Sequence, residues 1–430
     1  MKKITNEILK ESIYHEKLEN NLNIFFMPKK GFTKKYAIFA TDYGSNDLGF
    51  VSPFDKSHIS LNEGIAHFLE HKMFEQPDGG DAFSKFSEFG ANANAFTNFN
   101  MTAYLFGTTD NFYGSLNHLI SYVQTPHFTD ENVEKEKGII AQEIKMYEDN
   151  ADWQLFFNTL KAMYINHHNN IDIAGTVESI YKITKEELYS CYNAFYSPSN
   201  MAIFVIGDLE WDEVRANIVN TIKDDNKFSG KIERINKLEP NEINIKKIEE
   251  KMEVSIPMFC LGYKDKMDKV LEGDEMLHKS ICTEIILDCI FKKGSELNEK
   301  LYMEQLIYDS LSCDYSSHND FGYTIISGET RELEKTITII KETLEKYKKE
   351  GIPEADFKRI KKAKIGGFIR SFDSIENIAN SFLGYFFEGI NYFDILKSIE
   401  EISINDVNSR LREHFDENMS VTSLIEPKEN

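Results

Sequence analysis

The chain has 430 residues and a mass of 49.8 kDa, more than one hydrophobic core usually organises, so two or more domains are expected. Hydrophobic residues make up 41% and charged residues 28%, which excludes a fully disordered chain. Lys and Arg total 49 against 71 Asp and Glu, a formal charge of −22 that argues against wrapping nucleic acid or lying on an anionic membrane. Cys191, Cys260, Cys282, Cys289 and Cys313 form no CxxC pair and read as reduced, buried thiols. The N-terminus starts basic but lacks the unbroken apolar run of a signal peptide. No stretch of about 18 apolar residues suggests a transmembrane helix. The expectation is a soluble, cytoplasmic protein.

In chain order, Asn23–Met27 and Tyr36–Thr41 read as strands. Gly64–Glu75 reads as a helix, because Ile65, Phe68, Leu69 and Met73 recur at helical spacing. Phe83–Gly90 follows as a short helix ending on glycine. Ala93–Tyr104, rich in Asn and Thr, reads as one extended edge strand. Asp130–Glu148 is a long helix with an acidic start. A capping box, Thr184 with Glu187, opens another helix, and Met201–Ile206 is a buried strand ending at Gly207-Asp208. Charge, Asn and Pro240 dominate residues 224–250, so 226–250 is the expected linker between domains 1–225 and 251–430. The second half predicts strands at Ser255–Tyr263, Ser310–Tyr315 and Gly322–Glu329, and helices at Asp274–Phe291 and Gly294–Met303. Strand–helix order recurs in both halves, as a duplicated unit would give.

The chemistry concentrates in His67-Phe68-Leu69-Glu70-His71. On a helix, His67 and His71 project from one face, where two imidazoles can share a metal, and Glu70 borders that face. Imidazole pairs suit zinc, and a neighbouring carboxylate that is not a ligand can take a proton from water. The order H-x-x-E-H is the inverted form of the thermolysin-type motif. The competing account is two hydrogen-bonded surface histidines on an amphipathic helix. A catalytic zinc wants a third protein ligand. Glu136 and Glu143 share a helix face seven residues apart, but the pattern alone leaves them as two carboxylates on an acidic helix.

Together, HFLEH, GANANAFTNFNMTAY, EKEKGIIAQEIKMYEDN, IAGTVESIYKIT and FYSPSNMAIFVIGD resemble the insulinase/pitrilysin family of inverted zinc peptidases. The first half resembles it strongly and the second half more loosely. The length is similar to that of the half-length branch that includes the mitochondrial processing peptidase subunits. The resemblance implies an α+β fold of two homologous domains, each a mainly antiparallel sheet packed with helices (the LuxS/MPP-like metallohydrolase fold). It implies one Zn2+ per chain on His67, His71 and Glu143, Glu70 as general base, and Glu136 orienting a ligand histidine. Ala93, Asn94, Ala95, Phe96 and Thr97 resemble the family's substrate-pairing edge strand, where a peptide adds by β-augmentation. An Asn-rich segment without a ligand is the plainer account of that stretch.

Active members also carry an Arg and a Tyr seven residues apart, poised over the substrate. The matching stretch here has Tyr308, but Leu301 stands at the Arg position and Lys300 is out of register by one. Leucine cannot replace a guanidinium fork. The resemblance therefore implies a dimer, preferably a heterodimer with a related chain that supplies the Arg/Tyr pair. His127, His167 and His168 lack ligand partners at useful spacing. The expected function is a zinc endopeptidase, or its zinc-bearing subunit, acting on peptides or short unfolded proteins. The rival is a non-catalytic peptide-binding or assembly subunit; a zinc hydrolase of small molecules fits the edge strand poorly.

Overall fold

The computed structural model describes residues 1–223, 228 and 230–428. Its first elements are β1 (Lys2–Asn6), β2 (Glu11–Lys17), β3 (Asn23–Pro28), β4 (Lys35–Thr41), β5 (Gly49–Val51), β6 (His58–Ser60), α1 (Ile65–Lys72) and α2 (Ala82–Glu88). Then come β7 (Asn92–Thr97), β8 (Thr102–Thr108), α3 (Phe112–Val123), α4 (Asp130–Glu148), α5 (Ala151–Met163), α6 (Val177–Ile180), α7 (Lys185–Phe195), β9 (Met201–Gly207) and α8 (Trp211–Thr221). The second half holds β10 (Glu233–Arg234), β11 (Lys247–Met252), β12 (Met258–Lys264), α9 (Gly273–Ile290), α10 (Glu296–Met303), β13 (Ser312–Ser317) and β14 (Gly322–Glu329). It ends with α11 (Leu333–Glu350), α12 (Glu354–Ser371), α13 (Ile375–Phe387), α14 (Ile395–Glu401), α15 (Ile404–His414) and β15 (Ser420–Pro427).

Two sheets carry the architecture. The first runs β1-β2-β3-β9-β4-β8-β7 and the second β11-β15-β12-β14-β13. In each, one parallel pair (β3 with β9, β11 with β15) is followed by antiparallel neighbours. The second sheet thus repeats the order and strand senses of the last five strands of the first, which is the expected duplication at the level of topology. Strand β9, fully buried, lies inside its sheet, as the unbroken run MAIFVIG requires. The capping box at Thr184 and Glu187 forms as expected.

One expected strand is a hairpin. Ala93–Tyr104 bends because the Asn98 side chain accepts from the Asn100 and Met101 backbone N–H groups at 2.9 and 2.7 Å, closing a turn that the Asn98 N–H to Met101 carbonyl bond completes. As a result β7 is the sheet edge while β8 is paired on both sides.

The compact units are also not the contiguous domains 1–225 and 251–430. The first comprises Met1–Ile144, Asp172–Asn236 and Ser371–Phe387, and the second Lys145–Ile171, Lys237–Arg370 and Glu388–Asn430. Each half lends a helix to the other's unit. On α5, Leu155 packs in a cluster with Met252, Met258, Cys260 and Ile425, and a side chain at Gly262 would strike Met163 at 2.0 Å. On α13, Phe382 meets Phe25 and Phe204 with ring centroids 4.7 Å apart in each case. The expected linker is partly structured: β10 pairs with β5, Arg234 donates to Asp47 at 2.6 Å, and β11 belongs to the second sheet. Its residues 226, 227 and 229 lie outside the described residues.

Helix α1 is short, and its N-cap residue Gly64 offers no side chain to its open N–H groups. Two turns of helix are not stable alone, so its position comes from packing. Ile65, Phe68 and Leu69 are buried in the core of the first unit. The turn before it locks onto the 174–179 loop. Gly64 has φ 84°, and a Cβ there would lie 2.3 Å from the Ala174 carbonyl oxygen. A Cβ at Gly175, φ 74°, would in turn lie 2.6 Å from the Glu63 carbonyl oxygen, and the Ser179 hydroxyl donates to that carbonyl at 2.9 Å. Gly64→Ala should therefore destabilise the protein by about 2 kcal/mol or more, from left-handed strain plus the clash. Denaturant unfolding measures this, and an unchanged midpoint would show that the 174–175 turn can yield.

Candidate metal centre

With Ile65, Phe68 and Leu69 turned into the core, α1 directs His67 and His71 to its opposite margin, where α4 passes. Val133, Ile140 and Ile144 fix α4 to the same core. Its remaining stripe carries Glu136 and Glu143, two helical turns apart, toward the histidines. His67 Nε2 lies 3.8 Å from Glu143 Oε1, and His71 Nε2 lies 3.6 Å from Glu143 Oε2. These three residues are the one group among the described residues whose donor atoms converge as a metal ligand set, all within 4.8 Å of one another.

The surrounding contacts determine what each group can do. His71 Nδ1 is 3.1 Å from Glu136 Oε1. An ionised carboxylate only accepts, so Nδ1 carries a proton, which leaves Nε2, on the Glu143 side, as the nitrogen that a metal could take when the ring is neutral. Lys72, fully buried, sets its ammonium 2.6 Å from Glu75 and 3.7 Å from Glu136, offsetting the acidic charge behind His71. Glu70 is buried, and Thr97 Oγ1 donates to its Oε2 at 2.6 Å. Burial raises the Glu70 carboxyl above its ordinary value, against the pull of that hydrogen bond. Burial, with the neighbouring His71, drops His67 to about 3, so it is a neutral imidazole. Burial also pulls His71 down, but the Glu136 hydrogen bond and the charges of Glu70, Glu136 and Glu143 outweigh it and leave it raised.

These residues fit a divalent zinc ion. Two Nε2 lone pairs and a carboxylate are the borderline-soft donor set of a catalytic zinc, which leaves a coordination position open. Ligand atoms on a tetrahedral zinc stand about 3.3 Å apart for bonds of about 2.0–2.1 Å. The 3.6 and 3.8 Å separations are close to that, and too long for hydrogen bonds. Three carboxylates crowd two imidazoles here, so the cluster has an acidic excess that a cation relieves.

Of the residues singled out from the sequence, His67, Glu70, His71, Glu136, Glu143 and Thr97 come together in the first unit. Ala93 and Ala95 pack toward the core, Phe96 is half-buried, and the exposed Asn94 accepts from the Ala95 N–H at 2.9 Å. Tyr308 lies in the second unit and is half exposed. It shares no helix with Leu301, because α10 ends at Met303 and Gln305 takes φ 56°. Leu301 itself is fully buried. Sequence reading missed Lys72, whose one signal is a lysine directly after the motif on an otherwise buried helix. It also missed that the Thr97 hydroxyl turns to Glu70.

Residues 59–177 match the family model described as Insulinase (Peptidase family M16), and residues 182–364 match the Peptidase M16 inactive domain. The chain is 41% identical over 429 residues to the uncharacterized zinc protease YmfH of Bacillus subtilis (strain 168), covering 100% of both chains. It is 28% identical over 386 residues to the uncharacterized zinc protease YmxG of the same organism, covering 85% of this chain and 89% of that one. Among solved structures, an M16-like peptidase from Alicyclobacillus acidocaldarius superposes with a TM-score of 0.94 at 34% identity, covering 99% of this chain and all of that one. A protease from Helicobacter pylori shares the fold at 19% identity, with a TM-score of 0.83 over 96% of this chain and 99% of its own. The chain belongs to the insulinase family, peptidase family M16, as a half-length member with both its N-terminal and its C-terminal type of domain.

Proposed function

We propose that this chain is a zinc-dependent endopeptidase, or the zinc-bearing subunit of one, acting on peptides and short unfolded proteins that add as a strand to β7. The observation that carries the reading is the His67–His71–Glu143 convergence with the buried Glu70 carboxylate beside it. One zinc, held by His67, His71 and Glu143, would supply the positive charge that activates water and the scissile carbonyl. Glu136 holds the proton of His71 Nδ1 and so keeps the Nε2 lone pair available. Glu70 takes the proton of the attacking water and passes it to the leaving amine; a raised carboxyl suits both halves of that exchange. The exposed edge of β7, around Asn94, offers main-chain groups that pair with a peptide of varied sequence. Among the described residues no helix is long and apolar enough to cross a membrane. The five free cysteines support a reducing, cytoplasmic setting.

His71→Ala should remove nearly all zinc from protein that otherwise carries about one per chain, as metal analysis measures. Full occupancy in that variant would end the ligand assignment. Glu70→Gln keeps the side chain's size and removes the proton acceptor. Zinc should stay bound while peptide hydrolysis falls about 10²-fold or more. Undiminished hydrolysis with zinc retained would move the base role elsewhere.

The second reading, a non-catalytic peptide-binding or assembly subunit, is favoured by Leu301, buried where active relatives of this family place an arginine. We infer that the working form is a dimer, preferably with an M16-like paralogue carrying the Arg/Tyr pair, with Tyr308 as the residue this chain would contribute in its own second unit. A guanidinium at the developing oxyanion contributes roughly 10²–10³ in rate. The chain alone should therefore be weakly active, and a paralogue that lacks HxxEH but has the pair should restore turnover. Vigorous cleavage by this chain alone, indifferent to any paralogue, would overturn the partner inference.

A further inference from the structure

Of the five residues of the expected peptide-pairing strand, Thr97 has its side chain engaged elsewhere. Its hydroxyl oxygen lies 2.6 Å from Glu70 Oε2 and 3.2 Å from the hydroxyl of Thr102, its register partner on β8. Thr102 donates in turn to the Tyr43 carbonyl at 2.9 Å. The proton positions follow from the acceptors. A carbonyl and a carboxylate can only accept, and there are two hydroxyl protons for the two of them. The Thr102 proton goes to Tyr43 and the Thr97 proton to Glu70, so the contact between the two hydroxyls carries none. The Thr97 hydroxyl is therefore oriented in one direction only. As a β-branched residue in a strand, Thr97 has few rotamers in which to lose that orientation.

We propose that Thr97 is the positioning residue for Glu70, fixing the carboxylate from the strand that receives the peptide. This rests on the peptidase reading for the role of Glu70, but the contact itself does not. With Oε2 held by Thr97, Oε1 is the oxygen left for water. The hydroxyl sits on β7, so the backbone that sets the height of an added peptide strand also sets the height of the base. Scissile bond and carboxylate thus share one frame, and small movements of the edge strand shift both together. A base within hydrogen-bond reach of the reacting water has to be held in this way, because about 1 Å of misplacement can cost about 10²-fold in rate.

The experiment compares Thr97→Val, which keeps the shape and removes the donor, with Thr97→Ser, which keeps the donor. In metal-free protein, unfolding midpoints are measured for Thr97→Val, Glu70→Ala and the double variant. The shift caused by Thr97→Val should shrink markedly once the Glu70 carboxylate is gone; strictly additive shifts would overturn the contact. In zinc-loaded protein, with an M16-like paralogue present where turnover requires one, hydrolysis of an internally quenched peptide mixture is followed. Thr97→Val should lower kcat about 10-fold or more while KM and zinc content stay within about twofold, and Thr97→Ser should recover most of the loss. Equal losses in the two variants, or a change confined to KM, would overturn the positioning role. If the unaltered protein hydrolyses nothing under any condition, the peptidase reading fails, and the metal-free cycle still decides whether Thr97 holds Glu70.

Discussion

Everything in the first unit answers to one requirement: the two Nε2 atoms of a two-turn helix must face one carboxylate of another helix across less than 4 Å. A helix as short as α1 cannot hold its own geometry. Its apolar ridge is therefore sunk into the core, its entry is pinned by close backbone approach between Gly64 and the 174–175 turn, and α4 is clamped by its own ridge. The two histidine rings lie beside this packing, their centroids 4.5 Å apart. Their positions are consequences of where Ile65, Phe68, Leu69, Val133, Ile140 and Ile144 go.

Electrostatics then sorts groups that look alike. Three carboxylates lie within this cluster, and their partners separate them: Glu136 is bonded to His71 Nδ1 and neighbours Lys72, Glu70 is bonded to Thr97, and Glu143 faces both Nε2 atoms. The second unit shows what similar groups become without an open face. There His414 lies 2.7 Å from both Asp265 and the Thr324 hydroxyl, spacings that resemble a nucleophile–imidazole–acid relay. Yet Asp265 also takes Arg410 at 2.8 Å and Tyr315 at 2.6 Å, and all five side chains are buried. Burial alone would raise the Asp265 carboxyl, but His414 and Arg410 hold it well below its usual range. Every valence is used and no substrate can reach the hydroxyl, so this is a buried polar framework rather than a site. Distances alone do not identify chemistry; an accessible, under-satisfied pair of lone pairs does.

The His67/His71 pair was legible because helical spacing is a strong local signal, and strands such as β9 because an apolar run stands between turn formers. The same spacing put Glu136 and Glu143 on one face but did not separate their roles; only the family resemblance did that. What stayed hidden was non-local. Nothing in the residues around Ala151 or Ile375 shows that α5 and α13 each pack in the unit of the opposite half, because an amphipathic helix does not specify which sheet its apolar face will meet. The hairpin at Asn98 was hidden for the opposite reason. No Gly or Pro marks a break between Ala93 and Tyr104, and one Asx turn decided it. Thr97 was readable as strand, but its hydroxyl's acceptor lies 27 residues away on another element.

The same distinction bears on the position expected to hold an arginine. Leu301 is buried with Leu297 on the inner side of α10, while Lys300, Tyr302 and Met303 are exposed. An arginine at 301 would place a guanidinium in the core of the second unit, where an unpaired charge costs several kcal/mol. Position 301 is packed for leucine, and a single substitution there would not supply an exposed guanidinium. The two sheets share one strand order, yet the His67–His71–Glu143 cluster belongs to the first unit alone, so the fold itself does not depend on that cluster.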